Sequence, residues 1–449
     1  MLNDEVSPDP GMIDRFRQWI ANASRSEFSQ NVAWFTALSG FERVLQLVQT
    51  VLISNALGIT EYGVYGLIFG TIGYVASNAG FQMGLTATVF VAKYRETEKA
   101  KAAGVIAVVS RFAWLSALVI VAVALPFTAG LTEWLLGASR YQAAVMLGIV
   151  FVGVTIVSGI QDGVAQGFEM FVVMARIKIA VAAVVLASIY PVAREFGLSG
   201  VLFAILTGAV LKCLALERAI WRRRIETRIP KRGGEVSIRT LVADFALPSV
   251  VVSLLLGFVQ WFGLLFMSKP AGGFDEVAII NTGTQWRGPV LLLTTALGGV
   301  AVPAFGRLAG AGNSRGSRRL RRILSLVNLS ISSVTALVMV AGSGLILSLY
   351  GTGFAAGRMA FCLMVLSTIP SVVANVYLQE LVGAARMWRQ LWLHGPYVIA
   401  LSISFFVLVP KYQALGYAAS VLIGSVVLLA HVMTADAVAA RRERAGAGA

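Results

Sequence analysis

Two arginines stand near the centres of long apolar stretches, Arg43 in GFERVLQLVQTVLI and Arg287 in NTGTQWRGPVLLL. An arginine at the middle of a bilayer costs about 2.5–3.5 kcal/mol on insertion scales, so each must face a wet cavity or a partner. The residues around them are polar at helical spacing. Ser39, Glu42, Gln46 and Gln49 fall at i, i+3, i+7 and i+10, one face of a helix. Asn78, Gln82 and Thr86 follow i, i+4, i+8 farther on, Ser249, Ser253 and Gln260 form a third stripe, and Asn281, Thr284 and Gln285 accompany Arg287. Planar guanidinium groups match phosphate oxygens two at a time, and amides match hydroxyls. The chemistry on offer is recognition of an oxygen-rich, anionic group inside a membrane. The competing use of the same residues is interhelical hydrogen bonding and a structural ion pair.

Acidic residues are few in the apolar stretches. Glu42 adjoins Arg43, but consecutive helix positions point about 100° apart, so the two need not pair. Asp162 and Glu380 lie late in two other stretches, where each can carry a coupling cation or pair with a nearby basic residue. Arg111 and Lys212 lie within about two turns of stretch ends, where long side chains reach the headgroups. His394 and His431 have no sequence neighbour that would make a proton relay, and packing accounts for them better. The two cysteines, Cys213 and Cys362, cannot build a zinc cage. No metal site and no cofactor is expected. Walker A, HExxH, CxxC and nucleophile-elbow patterns are absent, and the glycine-rich GRLAGAGNSRGS (306–317) lacks the Gly-Lys-Ser/Thr ending that cradles phosphate. The chain reads as a non-enzyme.

These residues must be positioned by membrane helices. Apolar types make up 57% of the 449 residues and charged types 13%, against roughly 25% charged in a soluble domain. Twelve spans are expected near 32–56, 64–91, 104–126, 142–166, 174–192, 199–217, 241–267, 277–304, 322–349, 358–383, 389–409 and 414–438. Each is near or above the ~20 residues that cross ~30 Å of hydrocarbon. Of the 37 Lys and Arg, 28 fall on the side that also holds both termini. Only Arg140, Arg194, Lys269, Arg358 and Lys411 fall on the other, which places both termini in the cytoplasm. The fold class is therefore all-α and polytopic. Residues 1–30 form a cytoplasmic segment, in which Met12, Ile13, Phe16, Trp19 and Ile20 recur at the spacing of an interfacial helix. Residues 31–217 form a first six-helix half, 218–240 a basic linker, 241–438 a second half and 439–449 a tail. The linker's WRRRIETRIPKRGG reads as an anchor against anionic headgroups; nothing in it supports nucleic-acid binding.

The halves echo each other. LLGASRYQAAVML (135–147) returns as LYGTGFAAGRMAFCLM (349–364), and FGLSGVLFAILTG (196–208) as YQALGYAASVLIG (412–424). Corresponding glycines are 214 positions apart at Gly137 and Gly351 and 216 apart at Gly200 and Gly416. Two similar membrane halves in one chain are a signature of carriers whose substrate site lies between the repeats. The polar stripes fall in the first two helices of each half, which fits a central cavity between them.

With this architecture, SNALGITEYGVYGLIFGTIGYVASNAGFQMGL (54–85), LYGTGFAAG and YQALGYAAS resemble the Wzx-type polysaccharide and O-antigen flippases of the multidrug/oligosaccharidyl-lipid/polysaccharide exporter superfamily. The LGITEYGVYG turn resembles the family's Leu-Gly-x-x-x-Tyr-Gly turn, and the likeness covers about residues 30–440. It implies an alternating-access flippase of the bacterial inner membrane that moves an undecaprenyl-diphosphate-linked glycan, working beside a polysaccharide polymerase. By position, it points to Arg43 and Arg287 as cavity cations. The lipid II flippases of the superfamily carry two further spans that this sequence lacks. A cation-coupled drug exporter relying on Glu42, Asp162 or Glu380 is the main alternative, and a membrane glycan polymerase or ligase a lesser one, given the short outward turns. A non-transporting scaffold would leave both arginines unexplained.

Overall fold

The computed structural model describes residues 27–230, 233–234, 247–384 and 387–446. The expected interfacial helix at Met12–Ile20 and much of the linker lie outside them. The described residues are helical almost throughout, with no strand among them. In chain order the α-helices are α1 Glu27–Leu57, α2 Ile59–Ala79, α3 Met83–Tyr94, α4 Lys99–Ala124, α5 Thr128–Leu136, α6 Gln142–Gly167 and α7 Phe171–Glu226. They continue as α8 Leu247–Ser268, α9 Gly273–Gly310, α10 Ser314–Ala341, α11 Ser343–Leu349, α12 Arg358–Leu366, α13 Thr368–Gly383 and α14 Met387–Gly446.

Six segments among the described residues are long and apolar enough to cross a membrane: Lys99–Leu136, Ser139–Gly167, Phe171–Glu226, Ser314–Ala341, Phe354–Gly383 and Trp388–Val438. Helices α1 and α9 exceed ~20 residues as well, and their polar stripes make them less apolar. The surface is apolar where a soluble protein's would be polar. Leu118 and Val123 on α4, Leu337 and Val338 on α10, and Ile399, Ile403 and Phe406 on α14 are all more than half exposed. Rows of exposed apolar side chains along several helices face lipid, since no soluble monomer tolerates them.

Several expected spans are segmented. The span expected at 64–91 is two helices, because Phe81 and Gln82 take left-handed φ of 46° and 51° between α2 and α3. That expected at 358–383 is divided between α12 and α13 at Ser367, and 322–349 between α10 and α11 at Gly342. The turn expected between 127 and 141 holds the short helix α5, ended by Gly137 at φ 68°. The α7 and α14 segments are each two legs joined at a sharp break, at Gly197 (φ 57°, ψ −142°) and Gln413 (φ 46°, ψ −121°).

Helix α1 lies along α7, and α3, α4 and α7 pack on α6; farther on, α9, α10 and α14 pack on α13. The two groups meet where α2 packs against α8 and α9, with α1 also touching α9. Small residues set how closely. Gly63 lies so near α9 that a Cβ there would collide with the Phe274 carbonyl oxygen, and a Cβ on Gly66 would be 3.1 Å from the Asn281 Cβ. In lipid, where no hydrophobic effect drives helices together, such backbone approach is a main source of attraction.

Candidate functional site

Arg43 sits at this seam. Its Nη2 donates to the Gln285 carbonyl of α9 at 2.7 Å and its Nη1 to Gln46 Oε1 at 2.9 Å. Gln46 Nε2 in turn donates to Glu42 Oε1 at 3.1 Å, so the amide carries the interaction between two neighbours that cannot meet directly. The guanidinium lies over Gly288, where any side chain would displace it. The spacing of Glu42, Arg43 and Gln46 therefore builds one network on α1, and α9 supplies a carbonyl and a vacant Cβ position to receive it.

One turn toward the end where α1 meets α2, the seam is closed by a clasp that sequence spacing did not reveal. Trp286 Nε1 donates to the Tyr350 hydroxyl at 3.0 Å, and that hydroxyl is 3.0 Å from Thr50 Oγ1. Thr50 already donates to the Leu47 carbonyl at 2.8 Å, so Tyr350 donates to Thr50. Ser54 donates to the Tyr350 carbonyl at 2.8 Å and Asn55 to the Leu349 carbonyl at 2.6 Å. Farther out, Thr60 donates to Asp275 at 2.6 Å, and Lys269 donates to the Trp134 carbonyl of α5. The Tyr350 ring is buried among Tyr62 and Phe354. The cue in the sequence was Tyr350 itself, a phenol beside LILSLYGTG, whose hydroxyl must find a partner once the ring is buried.

Arg287 follows a different course. It projects from α9 toward Tyr397 and Tyr417 of α14, whose phenols are its electrostatic neighbours, rather than joining Arg43. Gln260 completes that group, accepting from the Tyr417 hydroxyl at 3.2 Å through its carbonyl. The two candidate cavity cations thus have different neighbours: residues 285 and 288 on α9 receive Arg43, and residue 287 is turned away from both. Four donors in this region are buried without a hydrogen-bond partner, Arg43 Nε, Arg287 Nε, Asn281 Nδ2 and the Tyr62 hydroxyl. Unmet donors in a membrane protein cost free energy unless water or a ligand satisfies them.

The remaining expected residues divide. Asn78 accepts from Ser253 of α8 at 2.9 Å across the seam, and Trp261 donates to Thr71 at 2.9 Å beside it while stacking on Tyr74. Gln49 is half-buried on α1. Gln82 is taken off the Asn78 face by the break at residues 80–82 and lines a separate groove against α6, with Gly159 and Gln166. Thr86 is buried against its own half.

The acids are committed elsewhere. Asp162 bonds Lys212 at 2.7 Å. Glu380 meets Arg321 at 2.5 Å, and the same guanidinium meets Asp436 at 2.5 Å, with its face over the Tyr377 ring. Ser317 also donates to Glu380 at 2.5 Å. One arginine on α10 thus staples α13 and α14. His394 Nδ1 lies 2.8 Å from the Gln390 carbonyl, a local helix contact. No group of three metal-ligating side chains occurs among the described residues.

Solved proteins described as MOP superfamily transporters share this fold. An inward-facing multidrug-resistance MATE transporter superimposes with a TM-score of 0.70 at 15% identity, covering 86% of this chain and 92% of that one. A MOP superfamily transporter from Pyrococcus furiosus, described as having a binding pocket of reversed polarity, gives 0.69 at 13% identity over 91% and 95%. At the level of sequence, a family model described as polysaccharide biosynthesis protein matches residues 28–309, and the chain belongs to that family. This is the resemblance already visible in the turns around Gly58 and Gly351. Among curated proteins, an EPS I polysaccharide export inner membrane protein of Ralstonia solanacearum is 28% identical over 204 residues. Its counterpart in Ralstonia nicotianae is 24% identical over 221. This chain spans about half the length of the curated relatives it matches.

Proposed function

We propose that the chain is an alternating-access flippase that carries an undecaprenyl-diphosphate-linked oligosaccharide from the cytoplasmic to the outer leaflet of the inner membrane during surface polysaccharide assembly. The observation that carries this reading is Arg43: a mid-helix guanidinium at the seam between α1 and α9, with its Nε buried and unmet. Arg287 and Asn281, equally unmet, extend the donors along α9. Diphosphate oxygens satisfy such donors bidentately. Sugar hydroxyls, which cost roughly 1–3 kcal/mol each when stranded in hydrocarbon, find partners in Gln46, Gln49, Asn78, Gln260 and Gln285. The lipid tail remains in the bilayer.

Alternating access needs two rigid halves and an end that opens. The breaks at Gly197 and Gln413, 216 positions apart, match the spacing of the sequence repeat and support twelve spans in two related halves, 31–217 and 241–438. The Tyr350 clasp and the Thr60–Asp275 bond close one end of the seam. The positive charge around Arg218–Arg228 and Arg315–Arg322 supports a cytoplasmic placement for the opposite end and for both termini. Partners are the lipid-linked glycan, membrane lipids and a polysaccharide polymerase. A cation-coupled drug exporter would need an acid free to titrate; Asp162 and Glu380 are instead held in ion pairs and Glu42 by Gln46.

The test is translocation of a lipid-linked oligosaccharide in vesicles by wild type, Arg43→Ala and Arg287→Ala. Loss in Arg43→Ala with an unchanged melting temperature is expected. Wild-type rates in both variants would remove the arginines from the mechanism, and drug efflux that depends on Asp162 would favour the exporter.

A further inference from the structure

Between the opening turns of α7 and its closing turns lies a groove of about 620 Å³, well away from the seam. Its walls differ in kind. Met170, Val172, Val173, Ile177, Ala215 and Ala219 form an apolar side, and Arg218, Arg222 and Arg223 stand along its rim with Glu169 and Glu226, each acid held in an ion pair with an arginine. The spacing explains this: Arg218 and Arg222 are i and i+4 on one face, three residues on from Ala215 and Ala219, whose small side chains leave the space open.

Most charges near the groove are matched. Arg223 meets Glu226 at 3.3 Å, Glu169 meets Arg95 at 2.8 Å, and Arg224 donates to the Pro230 carbonyl at 2.9 Å. Arg218 and Arg222 make no ion pair among the described residues, and both are exposed. Two unmatched guanidinium groups therefore stand above an apolar trough. Along the same stretch of α7, Leu214 at 62%, Trp221 at 53% and Ile225 at 58% are exposed apolar side chains. A soluble anion would use the rim and leave the trough wet, whereas an acyl chain alone would leave the rim unmatched.

We infer that this groove binds one anionic phospholipid of the surrounding membrane, its phosphate on Arg218 and Arg222 and its acyl chain along Val172, Val173 and Ile177. Basic pockets between helices at the positively charged end of a membrane protein suit such headgroups, and arginine's fork suits phosphate better than lysine's point charge. The inference is independent of the transported cargo, because it uses neither Arg43 nor Arg287.

The experiment is native mass spectrometry of the full chain with phosphatidylglycerol or phosphatidylcholine, comparing wild type, Arg218→Ala/Arg222→Ala and Arg218→Lys/Arg222→Lys, with melting curves as the check on folding. At about fivefold per basic side chain near a headgroup, the double alanine variant should lose about 30-fold in affinity for the tightest phosphatidylglycerol. The lysine variant should fall between, and Arg223→Gln should stay close to wild type. Val173→Trp, which fills the trough, should weaken the same lipid without changing rim charge. Undiminished phosphatidylglycerol binding by the double alanine variant would overturn the inference. So would equal retention of phosphatidylcholine, or displacement of the lipid by millimolar inorganic phosphate.

Discussion

Tyr350→Phe is the substitution that most directly tests whether the closed end of the seam is a gate. It removes one oxygen and keeps the ring that packs on Tyr62 and Phe354, with centroids 6.0 and 5.6 Å away. Two hydrogen bonds of 3.0 Å are lost, one from Trp286 and one to Thr50. Interhelical hydrogen bonds in membranes average about 0.6 kcal/mol and reach about 1.7, so the pair amounts to about 1–3 kcal/mol. Only the Thr50 bond, about 0.6–1.7 kcal/mol, is specific to the closed arrangement, because Thr50 lies across the seam while Trp286 stands on the same side of it as Tyr350. The open form should gain by about 3- to 20-fold relative to the closed one. Thr60→Cys, placed at that end in a background with Cys213 and Cys362 replaced, reports opening through its rate of reaction with an impermeant thiol reagent. The rate should rise in Tyr350→Phe when reagent is added from the outer face. An unchanged rate, with the protein folded and the reagent reaching a control site, would show that the clasp does not hold the seam shut.

Other outcomes follow from the same geometry. Arg321→Ala strands Glu380 and Asp436 against a buried surface; breaking a buried pair costs about 3–5 kcal/mol, and the purified protein should melt several degrees lower, whereas an unchanged melting temperature would mean the staple adds nothing. Outward movement of an anionic headgroup gains about 2.3 kcal/mol per charge per 100 mV from an inside-negative potential. Flipping in vesicles should therefore slow when the potential is collapsed with a potassium ionophore, and an unaffected rate would separate the cargo's charge from the driving force.

Much of this architecture was legible because lipid imposes a simple demand: long apolar runs must be helical to satisfy their backbone. The mid-helix positions of Arg43 and Arg287 and the Glu42–Arg43–Gln46 spacing were readable for the same reason. Direction was not. Whether residue 287 faces α1 or α14 depends on the rotation of α9, which is set by Gly288 and Gly63 at contacts 200 and more positions apart in sequence. The break at Phe81 and Gln82 was hidden because neither residue carries a turn signal, so Gln82 was assigned to the Asn78 face. Tyr350, Tyr397 and Tyr417 count as apolar in a hydropathy reading, yet the Tyr350 and Tyr417 hydroxyls bond Thr50 and the Gln260 carbonyl near the two arginines. Asp162 and Glu380 lie late in α6 and α13, and their partners, Lys212 and Arg321, come from helices that only the fold brings near.

Gly63 against the Phe274 carbonyl has a mechanical consequence. Interlocking side chains resist rotation like gear teeth, since each step requires unmeshing one set of contacts before making the next. Where two backbones touch with no side chain between them, the contact is a smooth bearing, and tilting about it unmeshes nothing. Resistance to rocking then resides in the polar bonds on either side of the bearing, those of Arg43 toward one end and of Thr60 toward the other. A machine arranged this way can be retuned by changing a single hydrogen bond, while its axle stays where glycine put it.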